Sequence, residues 1–203
     1  MKKLILVLGT YNKGKVREFK LLFERLPIEI KELSDFSNIQ KFNEKGNTFA
    51  EIAANKARFI SKKLKVPALS DDSGLEVKSL NGAPGIYSAR YAGELANDEQ
   101  KNRKLLEEMK GETDRSARFS CSIAIAKPSG ETLIYNGECY GMLLNEPVGT
   151  NGFGYDPLFY YPPLKRTFAQ LSPEEKAMVS HRGHAINKLM NDFTTIMAWI
   201  NKI

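Results

Sequence analysis

The chain is poor in the residues that staple or ligate. Its 203 residues include only two cysteines, Cys121 and Cys139, and two histidines, His181 and His184. Two cysteines cannot build a disulfide framework. They form no CxxC pair, and their apolar, strand-like surroundings predict free core thiols. Two histidines spaced i, i+3, without an HExxH pattern, exclude a dedicated zinc cage of that kind. No apolar run approaches the ~20 residues that a membrane-spanning helix needs. Met1-Lys2-Lys3 followed by Leu4 to Leu8 imitates a signal peptide. Its apolar stretch stops at Gly9, short of the roughly seven to fifteen residues of such a segment, and no small-residue cleavage site follows. It reads as a strand, and the expected location is the cytoplasm. No repeat, low-complexity tract or Pro/Gly/Ser linker divides the chain, so one domain over residues 1–203 is expected.

What remains is enough for a sizeable core: 42% apolar and 27% charged residues. Thirty basic residues against 24 acidic ones give a net charge of +6. Such a surplus favours anionic partners, but it is scattered. Its densest spots, Lys62-Lys63 with Lys65 and Lys101 to Lys104, fall in predicted helices and read as solvated faces. No RNP, KH or zinc-finger signature appears, so neither nucleic acid nor membrane is an expected partner.

Strands and helices alternate early. Lys2 to Gly9 predicts a buried strand, and Lys15 to Leu26 a helix with Val16, Phe19, Leu22, Phe23 and Leu26 on one face. Ile28 to Leu33 predicts a strand, and Asn43 to Asn47 a loop. Thr48 to Leu64 predicts a helix with Phe49, Ile52, Ala53, Phe59 and Ile60 inward. Val66 to Leu69 predicts a short strand that empties into Ser70-Asp71-Asp72-Ser73-Gly74, and alternation resumes over Leu75 to Leu80. Asn97 with Gln100 predicts a capping box for a helix to about Lys110. Ala117, Phe119, Cys121, Ile123 and Ile125 alternate as a strand, and Pro128-Ser129-Gly130 turns the chain back into strand over Thr132 to Leu144. Ser172-Pro173-Glu174-Glu175 opens a helix. A last helix runs from near Ser180, with Ile186, Leu189, Met190, Phe193, Met197 and Ile200 at helical spacing. The class is mixed α/β.

Four segments carry chemistry. In Gly9-Thr10-Tyr11-Asn12-Lys13-Gly14-Lys15 a strand empties into a polar loop and then a helix, presenting free N–H groups and the positive dipole end to an anion. Lys13 and Lys15 add positive charge; Thr10 and Asn12 add neutral hydrogen-bond groups. The string fits G-x-x-x-x-G-K, but Val16 stands where a P-loop needs a hydroxyl for Mg²⁺, so this loop cannot bind metal in that way. The alternative is a plain strand–turn–helix with surface lysines. Asp71-Asp72 are expected at the end of an apolar strand, where α/β ligands bind. Alternation sends them to opposite sides. One is suited to hold Mg²⁺ or to activate a water; the alternative is Asx-turn chemistry ahead of Gly74. In Gly152-Phe153-Gly154-Tyr155-Asp156-Pro157, glycines let backbone approach a flat ligand and Phe153 can stack on a base; the alternative is a turn with a core aromatic. His181 and Arg182, with Lys176 ahead of them, open a helix at the end that prefers anions, which hints at function rather than surface charge.

Together, in this order, these segments resemble the inosine triphosphate pyrophosphatase family of noncanonical purine nucleoside triphosphate pyrophosphatases. The resemblance runs from Leu6 to about Leu189. It also takes in Gly46-Asn47-Thr48-Phe49 with Lys56-Ala57-Arg58, and Gly82-Ala83-Pro84-Gly85-Ile86-Tyr87-Ser88-Ala89-Arg90-Tyr91. It implies an α/β fold with an elongated mixed β-sheet, flanking helices and two lobes around a central nucleotide-binding cleft. It implies a cytoplasmic homodimer that hydrolyses ITP, dITP and XTP to the monophosphate and pyrophosphate with Mg²⁺, before such nucleotides enter DNA or RNA. By that resemblance Thr10, Tyr11, Asn12, Lys13, Gly14, Lys15 and Lys56 hold the triphosphate. Glu44 and Asp72 serve Mg²⁺, and Asp72 is also the proton acceptor. Ser73, Phe153, Gly154, Tyr155, Asp156, Lys176, His181 and Arg182 surround the nucleoside. One position departs: members usually read Glu-Asn-Ala where this chain reads Glu51-Ile52-Ala53, so Ile52 lacks an amide near the metal loop and Glu51 is the reserve carboxylate. The rivals are a P-loop phosphotransferase, opposed by Val16 and by the lack of an arginine-rich lid; a nucleic-acid-binding module; and a Maf-like pyrophosphatase, whose arginine-rich N-terminal loop is absent.

Overall fold

The computed structural model describes residues 4–24, 26–36, 39 and 45–201. Its strands form a seven-stranded mixed sheet flanked by helices. The strands are β1 (Leu4–Leu8), β2 (Ile28–Glu32), β3 (Ala68–Val77), β4 (Ser116–Ala126), β5 (Thr132–Leu143), β6 (Phe159–Tyr161) and β7 (Arg166–Thr167), in the order β2-β1-β3-β4-β5-β6-β7. β1 runs parallel to β2, with Leu6 opposite Ile30, and parallel to β3, with Val7 opposite Ala68. β6 is antiparallel to β5 and β7. Parallel neighbours need crossovers, and helices supply them. α1 (Lys13–Phe23) joins β1 to β2, and α2 (Phe49–Leu64) lies between β2 and β3. α3 (Asp98–Glu108), α4 (Pro173–Val179), α5 (His181–Asn191) and α6 (Phe193–Asn201) complete the set. Among the described residues no helix is long and apolar enough to cross a membrane.

The chain forms two compact units. One takes the chain up to Asp72, Cys121–Gly137 and Arg182 onward; the other takes Ser73–Ser120 and Glu138–His181. Each buries its own core. In the first, Leu6, Leu8, Phe19, Phe23 and Leu69 pack with Cys121, Ile123, Ile125, Ile186, Leu189 and Ile196. α2 adds Ala53, Ala54 and Ala57 against Ala124 and Ala126, small side chains that let helix and strand approach closely. In the second, Leu75, Val77, Leu105 and Met109 pack with an aromatic group in which the Phe119 ring lies 4.7 Å from Phe159 and 5.8 Å from Phe168.

Local chemistry sets most helix starts. Asn12 caps α1, so that helix begins at Lys13 rather than at the expected Lys15, and it ends at Phe23. Thr48 caps α2, and the predicted capping boxes form at Asn97 and Ser172. Four expectations are corrected. β3 is one continuous ten-residue strand, so Ser70 to Gly74 do not form a turn and the acid pair sits inside a strand, not at its end. Phe59 is 37% exposed rather than inward, whereas Ala57, Ile60 and Ser61 are buried. β4 buries Ser120, Ser122, Ala124 and Ala126 as well as the alternating set, because both of its faces are covered. The last helix breaks between α5 and α6 at Asp192, whose side chain accepts a hydrogen bond from the Tyr135 hydroxyl at 3.2 Å. Helix interiors disfavour aspartate.

Candidate active site

In the first unit the site begins where β1 stops. The Gly9 N–H donates to the Leu69 carbonyl at 2.6 Å, and a Cβ there would run into Ser70 and Ile60. Glycine thus seats the β1–α1 loop directly on β3. The loop then holds itself: Thr10 Oγ1 accepts from the Asn12 N–H at 3.2 Å, and Asn12 Oδ1 from the Lys15 N–H at 3.1 Å. Those side chains shape the loop, while Tyr11, Asn12 and Lys13 stand exposed and Gly14 is buried.

Lys15 turns inward. Its Nζ lies 2.9 Å from Asp71 Oδ2, and Arg182 Nη2 donates to that same oxygen at 2.9 Å. Arg182 Nη1 donates to Glu18 of α1. Asp71 is wholly buried and Arg182 is 1% exposed. Burial alone would raise the Asp71 carboxyl, but Lys15, Arg182 and Lys56 outweigh it and hold it well below the usual carboxylate range. Burial likewise works to lower Lys15, and Asp71 reverses the sign, so the ammonium stays protonated. Asp72, the next residue on β3, is 8% exposed, and its charge also acts on Lys15. Lys56 on α2 is 7% exposed.

In the second unit, Gly152 and Gly154 adopt φ of 78° and 64°, a region that side chains disfavour. A Cβ on Gly152 would strike the Asp156 carboxylate. That carboxylate accepts the Phe153 N–H at 2.9 Å and pairs with Lys176. Lys176 Nζ sits 4.7 Å from the Phe153 ring centroid. The Gly154 N–H donates to Asp98 at 2.6 Å, and its carbonyl accepts from Asn102 at 3.0 Å. The Tyr155 hydroxyl donates to the Ser88 carbonyl at 2.9 Å. His181 is 4% exposed and stacks on Phe119 at 4.7 Å. Ser73 is half-buried on β3. A concavity of about 420 Å³ in this unit, lined by Arg103, Glu107, Lys110 and Arg115, includes none of these residues.

The structure thus brings Lys15, Asp71 and Arg182 into contact, and separately Phe153, Asp156 and Lys176. Glu44 and its neighbour Asn43 lie outside the described residues. Glu51 is exposed and accepts the Asn47 N–H at 2.8 Å, so the reserve carboxylate serves a helix start. Ile52 is buried at 2% exposure and faces Gly46, where the departure from the family pattern adds apolar packing. Sequence reasoning missed Glu18, Asp98 and Asn102; none stands in a motif, and the site residues they reach, Arg182 and Gly154, come from distant segments. It named Asp71 only as one of an acid pair. Among the described residues no three potential ligands of the His, Cys, Asp and Glu type cluster as a metal site. A single buried carboxylate such as Asp72 fits Mg²⁺, which takes one or two carboxylates and completes its shell with water and substrate phosphate.

Residues 6–192 match the sequence model of the Ham1 family. The chain is 50% identical over 201 residues to the dITP/XTP pyrophosphatase of Syntrophobacter fumaroxidans, covering 99% of this chain and 87% of that protein. It is 49% identical over 198 residues to the dITP/XTP pyrophosphatase of Desulfotalea psychrophila, covering 98% and 89%. Its fold is similar to the solved structure of a HAM1 protein from Coxiella burnetii, with a TM-score of 0.87 and 42% identity over 95% of this chain and 99% of that one.

Proposed function

The chain belongs to the Ham1 family, and from that membership we propose that it hydrolyses the noncanonical purine nucleoside triphosphates ITP, dITP and XTP to the monophosphate and pyrophosphate. The observation that carries the reading is the 2.9 Å contact between Lys15 and Asp71. It joins a loop suited to phosphate to a strand whose next residue is a candidate acid for water and metal.

Pyrophosphate release requires attack at the α-phosphorus. Thr10 to Lys15, with Lys56, take the triphosphate: loop N–H groups and two or three ammonium charges oppose the charge that gathers on the leaving group. Asp72 accepts a proton from the attacking water. Asp72 and Glu44 would hold Mg²⁺, which when bound would supply Lewis-acid stabilisation of the charge that develops on the phosphates. On the nucleoside, Phe153 offers an aromatic face, Ser73, Gly154, Tyr155 and Asp156 line the sugar and base, and Lys176, His181 and Arg182 offer donors. Hypoxanthine and xanthine carry an acceptor oxygen at C6, whereas adenine carries an amino donor, which would leave donor against donor. A site built to bond one group rejects a substrate lacking it by orders of magnitude. The enzyme is expected to work as a cytoplasmic homodimer that clears such nucleotides from the pool.

Pyrophosphate release with Mg²⁺ across dITP, XTP, dGTP, dATP and dCTP tests this. Rates on dITP and XTP should exceed that on dATP by about 10²-fold or more, and chelation of the metal should stop turnover. A flat profile, or orthophosphate as the first product, overturns the assignment.

A further inference from the structure

Glu18 and Asp71 have no part in the proposed reaction, yet they bind two groups that do. The side chains form an alternating series: Glu18 on Arg182, Arg182 on Asp71, Asp71 on Lys15. Lys15 and Glu18 both belong to α1, three residues apart, and therefore share a face. Asp71 comes from β3 and Arg182 from the start of α5. The middle pair is sealed, with side-chain exposures of 0% for Asp71 and 1% for Arg182; the ends, Lys15 at 13% and Glu18 at 16%, reach solvent. A sealed ion array is a poor device for stability, since apolar side chains of similar volume often do as well. It is a good device for orientation. Carboxylates on Nη1 and Nη2 fix the plane of the Arg182 guanidinium. A single oxygen, Asp71 Oδ2, takes both Lys15 and Arg182 at 2.9 Å, so neither cation can shift without disturbing the other's anchor.

We infer that Asp71 and Glu18 are positioning residues with unequal reach: Asp71 sets both Lys15 and Arg182, whereas Glu18 sets Arg182 alone. The inference rests on the roles proposed above, with Lys15 on phosphate and Arg182 on the nucleobase. Asp71 then couples the grip on phosphate to the reading of the base, and Glu18 tunes the reading only.

Two readouts separate these effects. Inorganic pyrophosphate carries no base, so its binding by calorimetry reports the phosphate end without turnover. The ratio of kcat/KM for dITP over dATP reports base reading. Glu18→Gln should lower that ratio about tenfold and leave the pyrophosphate Kd within about twofold, the scale of one lost charged hydrogen bond. Asp71→Asn should weaken pyrophosphate about tenfold and lower the ratio as well. In a Lys15→Met background, Asp71→Asn should weaken pyrophosphate by less than about twofold further, because contacting residues do not act additively. A general loss of packing would not produce this split. The inference is overturned if Glu18→Gln weakens pyrophosphate as much as Asp71→Asn does, if Glu18→Gln leaves the ratio unchanged, or if the Lys15 and Asp71 losses simply add. Should Asp71→Asn fail to fold, the Glu18→Gln split alone decides. Failure of the unaltered enzyme to release pyrophosphate from dITP would overturn the proposed reaction instead, and calorimetry would still judge the Lys15–Asp71 coupling.

Discussion

Adjacent side chains on a strand point to opposite faces, so Asp71 and Asp72 meet different surroundings despite their shared motif. Asp71 carries Lys15 and Arg182 on one oxygen and is held well below the usual carboxylate range, because those cations and Lys56 overcome its burial. The same cations favour its charged form. It serves as a fixed anion, since a general base works best with a pKa near the operating pH. Its neighbour Asp72 is the group proposed to take a proton from water. Asp72→Asn should lower kcat by about 10²-fold or more while pyrophosphate binding by calorimetry stays within about threefold, because the lysines proposed to hold phosphate remain. Unaltered turnover in that variant would remove Asp72 from the chemistry. That the two would face opposite sides was readable from the strand period. Which of them would carry the buried cations was not, since Arg182 lies 111 residues away along the chain.

Among the elements, α4 shows how much a helix start can announce. The Ser172 hydroxyl accepts the Glu175 N–H at 3.1 Å, Glu175 Oε2 accepts the Ser172 N–H at 2.8 Å, and Pro173 occupies the first turn. Every part lies within four residues, so Ser172-Pro173-Glu174-Glu175 could be recognised by inspection. Arg166 braces the same glutamate at 2.7 Å. Ser172→Ala should lower the unfolding free energy by about 1 kcal/mol in urea titration, the usual cost of a lost cap. The dITP KM should rise with it, because Lys176 rides on this helix. β3 shows the opposite case. Ser70 to Gly74 look like a turn because they are polar and end in glycine, but tertiary contacts keep them in strand: Lys15 and Arg182 engage Asp71 Oδ2, and Ser88 Oγ accepts the Leu75 N–H at 2.9 Å. The break at Asp192 leaves no mark in the sequence for a related reason, since the apolar spacing of Ile186 to Ile200 continues through it.

For the molecule as a whole, each compact unit holds one buried thiol, Cys121 in the first and Cys139 in the second. Burial pushes both thiols up to about 12. At pH 8 both should resist a thiol reagent in the native protein and react promptly in denaturant. The sign of the pH dependence follows. In the unfolded chain these thiols ionise near their ordinary value, while in the folded chain they keep their protons to about 12. Above pH 9 the unfolded state thus binds fewer protons, and stability should fall as pH rises toward 12. Denaturant melts at pH 8, 9.5 and 10.5 check this, and a flat series would contradict it. The amino-acid order alone specified the mixed α/β class, the capped helices, the thiols' place in the core and the motifs that resemble the family, because periodicity, caps and turn residues act within a few positions. The continuity of β3, the pairing of Arg182 with Asp71 and Glu18, and the division into two units were settled by contacts between distant segments. Coulomb forces and packing depend on where side chains end up in space, which no local pattern encodes.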